Sequence, residues 1–237
     1  DYWVYQEALK NDYFCKRADG PYMKGKVWPG ECNFPDYTNP AVREWWAGLF
    51  KELFPKQEIG GVWNDMNEPA VMEVPGKTFP MDVRHVYDGN PCSHRKAHNI
   101  YGTQMARATY EGVKRFSYPK RPFIITRSAY SGAQRYTSSW TGDNVASWEH
   151  LWIANIQMQR MSMSGMGFTG SDIGGFAEQP SGELYARWIQ LGVFHPFCRT
   201  HSSGDHGEQE PWSFGKEVID ITRKFVELRY QLLPYLY

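Results

Sequence analysis

Five successive apolar runs in this sequence end on, or just before, a residue able to do acid–base or electrostatic chemistry. Asp65 follows Gly61-Val62-Trp63-Asn64, Arg127 follows Phe123-Ile124-Ile125-Thr126, and Asp143 follows Trp140-Thr141-Gly142. Asp172 comes after a run ending at Gly170, and Arg199 with His201 after residues 193–198. Singly, each has an ordinary explanation. Asp143 or Asn144 can cap a helix starting near Ala146, and Asp172, just before Gly174-Gly175, can be turn chemistry. Arg127 can pair structurally with any of the carboxylates, and His201 can be a solvated loop residue. Independent caps and turns have no reason to include an Arg and a His, so the joint pattern points to a site. Carboxylates with an Arg and a His, lacking metal-ligand spacing, suit cleavage of a glycosidic bond. One carboxylate attacks or stabilises the anomeric carbon, and the other, with a raised pKa, protonates the leaving oxygen. The residues alone assign these roles weakly. Asp65, among Trp63, Met66 and Asn67-Glu68-Pro69, suits a rigid nucleophile seat; Asp143, between Gly142 and Asn144, suits a carboxyl whose pKa is raised.

The elements that must position these groups alternate between strand and helix. Asn39-Pro40 is a helix start, and Val42, Trp45, Trp46, Leu49, Phe50 and Leu53 recur on one face until Pro55. Strands are expected at 61–64, 122–126, 138–141, 166–170 and 193–198. Helices are expected at 97–116, 146–162, from a Ser181 cap to Leu191, and at 215–233. Such alternation implies a parallel sheet with helices outside it, and places reactive groups at the C-terminal rim of the strands. Residues 128–137 break the rule, being too short and too rich in Gly and Ser for a crossover helix. Five strands imply that a closed eight-stranded barrel needs three more upstream. Asp1-Tyr2-Trp3 accordingly reads as mid-domain sequence, and no linker divides residues 1–237 into a second domain.

Composition narrows the classes. Lys+Arg and Asp+Glu both number 26, so no net field steers the chain toward nucleic acid or an anionic membrane. No apolar stretch is long enough for a spanning helix. Aromatic residues make up 16 %, with ten tryptophans; most suit a core, and a minority in loops would suit stacking on sugar rings. Cys15, Cys32, Cys92 and Cys198 show no C-x-x-C pair, which argues against a zinc site and leaves thiols or disulfides equally open.

Trp63-Asn64-Asp65-Met66-Asn67-Glu68-Pro69 resembles the nucleophile signature of glycoside hydrolase family 31, the α-glucosidase and α-xylosidase family. The likeness extends along nearly the whole chain. It takes in Gly25-Lys26-Val27-Trp28-Pro29-Gly30, the segment from Phe34 to Pro40, His98-Asn99-Ile100-Tyr101-Gly102 and Ala108-Thr109-Tyr110-Glu111-Gly112. It continues with Trp140-Thr141-Gly142-Asp143-Asn144, similar to the acid/base signature, then Gly170 to Phe176, then His195 to His201. The resemblance implies a (β/α)8 barrel of which this chain supplies strands 4 to 8. It implies a retaining double displacement with Asp65 as nucleophile and Asp143 as acid/base, the two carboxyls about 5–5.5 Å apart. Arg127, Asp172 and His201 would bind hydroxyls of the non-reducing-end sugar, and Trp28, Trp63, Met66, Trp140 and Phe176 would line that pocket. No metal or organic cofactor is expected, and the substrate is an oligosaccharide or α-glucoside.

The Asn-Glu-Pro after Asp65 looks like the α-glucosidase branch. The family also holds α-xylosidases, glucan lyases and transglycosylases with the same core. A different class, a carbohydrate-binding remnant without catalysis, draws on the absent upstream strands, and retention of both Asp65 and Asp143 counts against it. A metal hydrolase using Asp65, Asp172 and His201 is the weakest alternative.

Overall fold

The chain begins with elements that the apolar patterning did not disclose: helix α1 (Trp3–Lys10) and an antiparallel hairpin. The hairpin pairs β1 (Lys24–Val27) with β2 (Gly30–Asn33), and Gly30 closes the Trp28-Pro29 turn at a φ of 109°. The computed structural model describes residues 2–54 and 59–237, which form two units, Asp1–Thr137 and Ser138–Tyr237. The expected Pro55 helix stop lies outside the described residues, as does Asp1.

In the first unit, α2 (Pro40–Leu49) starts as its sequence predicts, with the Asn39 side chain accepting from the Ala41 N–H at 3.0 Å and Pro40 in the first turn. It ends at Leu49 in a short 3-10 turn over Phe50–Glu52. Strand β3 (Val62–Asn64) leads to a long loop that contains a two-residue antiparallel pair, β4 (Arg84–His85) with β5 (Cys92–Ser93). Helix α3 (His94–Phe116) begins three residues before the expected start. It lies tight against α2: a methyl on Gly112 would meet the Ala47 carbonyl oxygen at 2.6 Å, and the Trp46 indole donates to Thr109 at 3.0 Å. Strand β6 (Ile124–Thr126) pairs parallel with β3, Asn64 opposite Thr126. This is the β–α–β unit expected from the sequence, with α3 as its crossover. The segment after β6 holds only a 3-10 turn, Ala133–Arg135, as its length and composition foretold.

The second unit opens with β7 (Ser138–Trp140), then α4 (Trp148–Met163), whose cap is Ser147 accepting from the His150 N–H. Strand β8 (Thr169–Gly170) pairs parallel with β7. Gly170 also lets the Phe197 backbone pass close by, because any side chain there would collide with it. Two residues further, β9 (Asp172–Ile173) was not anticipated, being too short to show a period. Helix α5 (Gly182–Gly192) is capped by Ser181 as expected, and buries Leu184, Tyr185, Trp188 and Ile189 against Ile173, Val193 and Val218. The strand expected at 193–198 is a series of turns. Val193 and Phe194 belong to the helix end, bonding back to Ile189 and Leu191, and the strand is β10 (Arg199–Thr200), parallel to β9. Closing helix α6 (Lys216–Leu236) explains why those turns hold. Arg229 donates to the carbonyls of Val193, His195 and Pro196 at 2.7, 2.6 and 2.9 Å. The four cysteines are free thiols, and no described helix is long and apolar enough to cross a membrane.

Candidate active site

Asp65, Arg127, Asp143 and His201 follow the C-terminal ends of strands as expected, whereas Asp172 and Arg199 open the short strands β9 and β10 instead of following the runs that end at Gly170 and Cys198. In the first unit, β3 ends at Asn64, whose carbonyl accepts from the Arg127 N–H at 3.0 Å, so Asp65 and Arg127 leave adjacent strands side by side. Arg127 Nη1 stands 3.3 Å from Asp65 Oδ1, while Nε and Nη2 fork onto Glu68 at 2.8 and 3.1 Å. Glu68 was not singled out in the sequence, yet it is what aims the guanidinium. The turn bearing these groups is fixed from below by Asn67, which is buried. Its amide donates to Thr126 Oγ1 at 2.8 Å and to the Gly102 carbonyl at 3.3 Å, and its oxygen accepts from the Ser128 N–H. Gly102 is required for that approach, since a methyl there would meet the Asn67 carbonyl oxygen at 2.7 Å. Met66 takes a φ of 57°, a left-handed conformation uncommon for a side-chain-bearing residue and held by this network.

Asp65 and Met66 border a cavity of about 260 Å³ whose other walls include Trp28, Pro35, Tyr37 and Tyr101. Trp28 is 81 % exposed at the hairpin tip, an apolar face with no packing role in this unit. Trp63 is less than half exposed and does not border the cavity. Of the wall, Tyr37 and Tyr101 were not predicted as site residues. The Phe34–Pro40 and His98–Gly102 stretches that contain them are visible as motifs, but a single sequence does not say which side chains face a pocket.

In the second unit, Asp143 follows β7 at a turn made by Gly142, φ 81°. Helix α4 is capped by Ser147, so Asp143 is not the cap. The loop is clamped: Asn144 is buried, accepts from Thr141 Oγ1, and its carbonyl receives the Phe176 and Ala177 N–H groups at 2.6 and 3.1 Å. Gly175 allows that contact, since a methyl would meet Ala146 at 2.6 Å. Asp172 lies within β9 rather than in a turn, is fully buried, and receives Arg199 Nη2 at 2.7 Å. Arg199 in turn lies over the rings of Trp140 and Phe197, at 5.7 and 5.1 Å from their centroids. His201 packs on Phe176, ring centroids 5.3 Å apart. Burial and the Arg199 charge lower the His201 pKa, with Asp143 pulling the other way, which keeps the imidazole neutral at pH 7 and places Asp143 within its electrostatic reach. Asp143, Asp172, Phe176, Trp140 and His201 therefore converge in this unit, as Asp65, Met66, Arg127 and Trp28 do in the first. Each set offers a carboxylate, a cationic hydrogen-bond donor and a flat apolar face, groups suited to binding sugar hydroxyls and ring faces.

The chain has relatives of known name along its whole length. It is 46 % identical over 237 residues to "Alpha-glucosidase 2" of Bacillus thermoamyloliquefaciens, and 43 % identical over 242 residues to "Neutral alpha-glucosidase C" of Homo sapiens. In both cases the whole of this chain is covered, but it spans only 30 % and 26 % of those proteins' length. Among solved structures, the Tris-bound glucosidase II alpha subunit superimposes with a TM-score of 0.93 at 39 % identity, over 99 % of this chain and 25 % of that one. The family 31 alpha-glucosidase from Bacteroides thetaiotaomicron gives 0.86 at 42 %, over 100 % and 38 %. The description "Glycosyl hydrolases family 31 TIM-barrel domain" matches residues 1–237 throughout, in agreement with the parallel strand–helix units seen here. With strand-end carboxylates, parallel pairing and end-to-end similarity all in accord, the chain belongs to the TIM-barrel domain family of glycoside hydrolase family 31.

Proposed function

We propose that the protein to which this chain belongs is a retaining α-glucosidase-type hydrolase, with residues 1–237 supplying part of a single catalytic barrel domain. It would remove non-reducing-end α-linked glucosyl residues. The observation that carries this reading is the Asp65–Arg127 pair: a carboxylate held against a fixed guanidinium, at the C-terminal ends of paired parallel strands, beside a cavity edged by an exposed indole. Relatives named alpha-glucosidases, and a glucosidase II alpha subunit solved with DNJ bound, support an α-glucoside as substrate.

Asp65 attacks the anomeric carbon, forming a glycosyl ester as the bond to the leaving oxygen breaks, and Asp143 supplies the proton which that oxygen takes up. Water then attacks the same carbon, gives its proton to Asp143, and releases Asp65. Two inversions leave the anomeric configuration unchanged. Arg127, Asp172 and His201 hold sugar hydroxyls, and neutral His201 is able both to donate and to accept. Trp28 and Met66, at the cavity, and Trp140 and Phe176, beside Arg199 and His201, supply apolar surface, with Trp63 assigned to the pocket by the family resemblance alone. No step requires a metal.

The test is hydrolysis of a panel of α-glucosides and α-xylosides by the full-length protein, with the anomer of the first product read by NMR. Release of α-glucose supports the reading; β-glucose as first product overturns it, and a preference for xylosides moves the protein to another branch.

A further inference from the structure

Behind the Asp65 cavity, the first unit buries an unbroken line of titratable groups that the proposed reaction does not use. Asp36 Oδ1 lies 2.9 Å from His85 Nδ1, His85 Nε2 lies 2.9 Å from His94 Nδ1, and His94 Nε2 lies 3.0 Å from His98 Nδ1. Asp36, His85 and His94 are 3, 2 and 0 % exposed, whereas His98 is half-buried and forms the surface end. Cys15 Sγ joins Asp36 and His85 within 4.8 Å, but this trio does not make a metal site. Asp36 already accepts from Thr38 N, Thr38 Oγ1, Val86 N and His85, and three donors leave zinc one protein ligand short of a closed tetrahedral site.

The line admits two complete proton arrangements. With three neutral rings, each Nδ1 carries its proton and points toward Asp36, so every contact has one donor and one acceptor. If a proton is added at His98 Nε2, His98 passes its Nδ1 proton to His94 Nε2, and His94 passes its own to His85 Nε2. His85 is then an imidazolium donating to Asp36 and to His94, His94 donates to His98, and again every contact is satisfied. One proton has entered and one positive charge has crossed the wall, with no ring turned and no bond left unmade. We propose that Asp36, His85, His94 and His98 form a proton relay that charges and discharges the buried Asp36–His85 pair through His98.

Surrounding groups favour that endpoint. Burial, with the charges of His85 and His98, holds His94 down to about 3, so the charge passes through that ring without resting there. Burial raises Asp36, but its hydrogen bond from His85, the His85 charge and the bonds from Val86 and Thr38 outweigh this and keep it a carboxylate. The other titratable neighbours are held neutral by burial: Cys15 from the segment before β1, Tyr37, Tyr101 on α3, and Cys92 on β5. The flanking cations Arg84, Arg95 and Lys96 are exposed. The pair is joined to the cavity wall, because Asp36 ties the 36–38 turn to residues 85–87 while Pro35 and Tyr37 line the cavity and Tyr101 donates to the Pro35 carbonyl at 2.7 Å. The relay thus lets the pH outside set the charge of the clamp behind that wall.

Neutron diffraction from the full-length protein, crystals equilibrated in D2O at pD 8 and pD 5, reads the deuterons directly. At pD 8 the three rings should carry deuterium on Nδ1 alone. At pD 5 His85 should carry it on both nitrogens, and His94 on Nε2 alone. Unchanged tautomers at the two pD values, or a doubly deuterated His94, overturn the proposal. In His98→Phe, charging His85 would leave His94 Nε2–H buried without an acceptor, so His85 should stay neutral at pD 5, while His98→Gln, which keeps an acceptor at that end, should restore charging. Charging of His85 in His98→Phe to the wild-type extent also overturns it. None of these readouts depends on hydrolysis.

Discussion

Asp65 lies beside Arg127 because β3 and β6 are parallel and in register, and Arg127 stays there because Glu68 takes its other two N–H groups. This predicts that Arg127→Lys, which cannot make the fork, lowers kcat/KM on p-nitrophenyl α-glucoside by about 10–100-fold. The pair is partly solvent-exposed, so thermal unfolding should move little, the ion pair being worth at most about 1 kcal/mol. A comparable loss in both measurements would make the arginine structural instead. Asp143→Asn should cost about 10²–10⁴-fold in turnover, and less on substrates whose leaving group needs no proton; equal losses on good and poor leaving groups would remove Asp143 from the acid role. His195 supplies a pH dependence of a different origin. Burial and the nearby Arg229 charge lower its pKa to about 4, against an ordinary value of 6.5. The folded state therefore binds fewer protons than the unfolded one between these values, and stability falls as pH drops from about 6.5 toward 4, by up to about 3 kcal/mol. Urea unfolding of wild type and His195→Gln across that range should show a flatter slope in the variant.

Helix positions were legible because caps and apolar spacing are local. Asn39-Pro40 and Ser181 each start a helix where the sequence predicts one, while the helix expected from Ala146 is capped by Ser147 and begins at Trp148. Short strands were less so. Two-residue β9 and β10 leave no alternation to read, and the apolar Val193-Phe194 pair mimics a strand start although it finishes α5. The Arg229 clamp on three carbonyls joins positions more than thirty residues apart and has no sequence signal at all. The same holds for the Asp36–His85–His94–His98 line. Two predictions belong to this scale. Gly112→Ala forces a methyl to within 2.6 Å of the Ala47 carbonyl between α2 and α3, and should destabilise by about 1–3 kcal/mol. Arg229→Met should cost about 1.5–3 kcal/mol or more by stranding carbonyls of the turn that leads to β10, with partial recovery in Arg229→Lys. Chemical denaturation checks both, and a neutral result in either would mean that the contact is not held in solution.

At the scale of the molecule, the parallel strand–helix alternation was legible in the sequence, and so were the polar residues gathered near its strands. The sequence offered Asp65, Arg127, Asp143, Asp172 and His201 together, and the structure sets Arg127 against Asp65, Arg199 against Asp172 and Asp143 within electrostatic reach of His201. What a single sequence withheld was the supporting layer: Glu68, Asn67, Gly102 and the tyrosines of the cavity wall, which act through contacts rather than through motif. The chain covers about a quarter to a third of the length of its named relatives, so activity is a property to be measured on the full-length protein. The proposed double displacement requires Asp65 to form a covalent bond with the sugar. Full-length protein incubated with a slowly turned-over 5-fluoro-α-glucosyl fluoride, digested and sequenced by mass spectrometry, should carry the fluoroglucosyl ester on Asp65, and Asp65→Asn should carry none. A label on another residue, or continued turnover in Asp65→Asn near the parental rate, would contradict it.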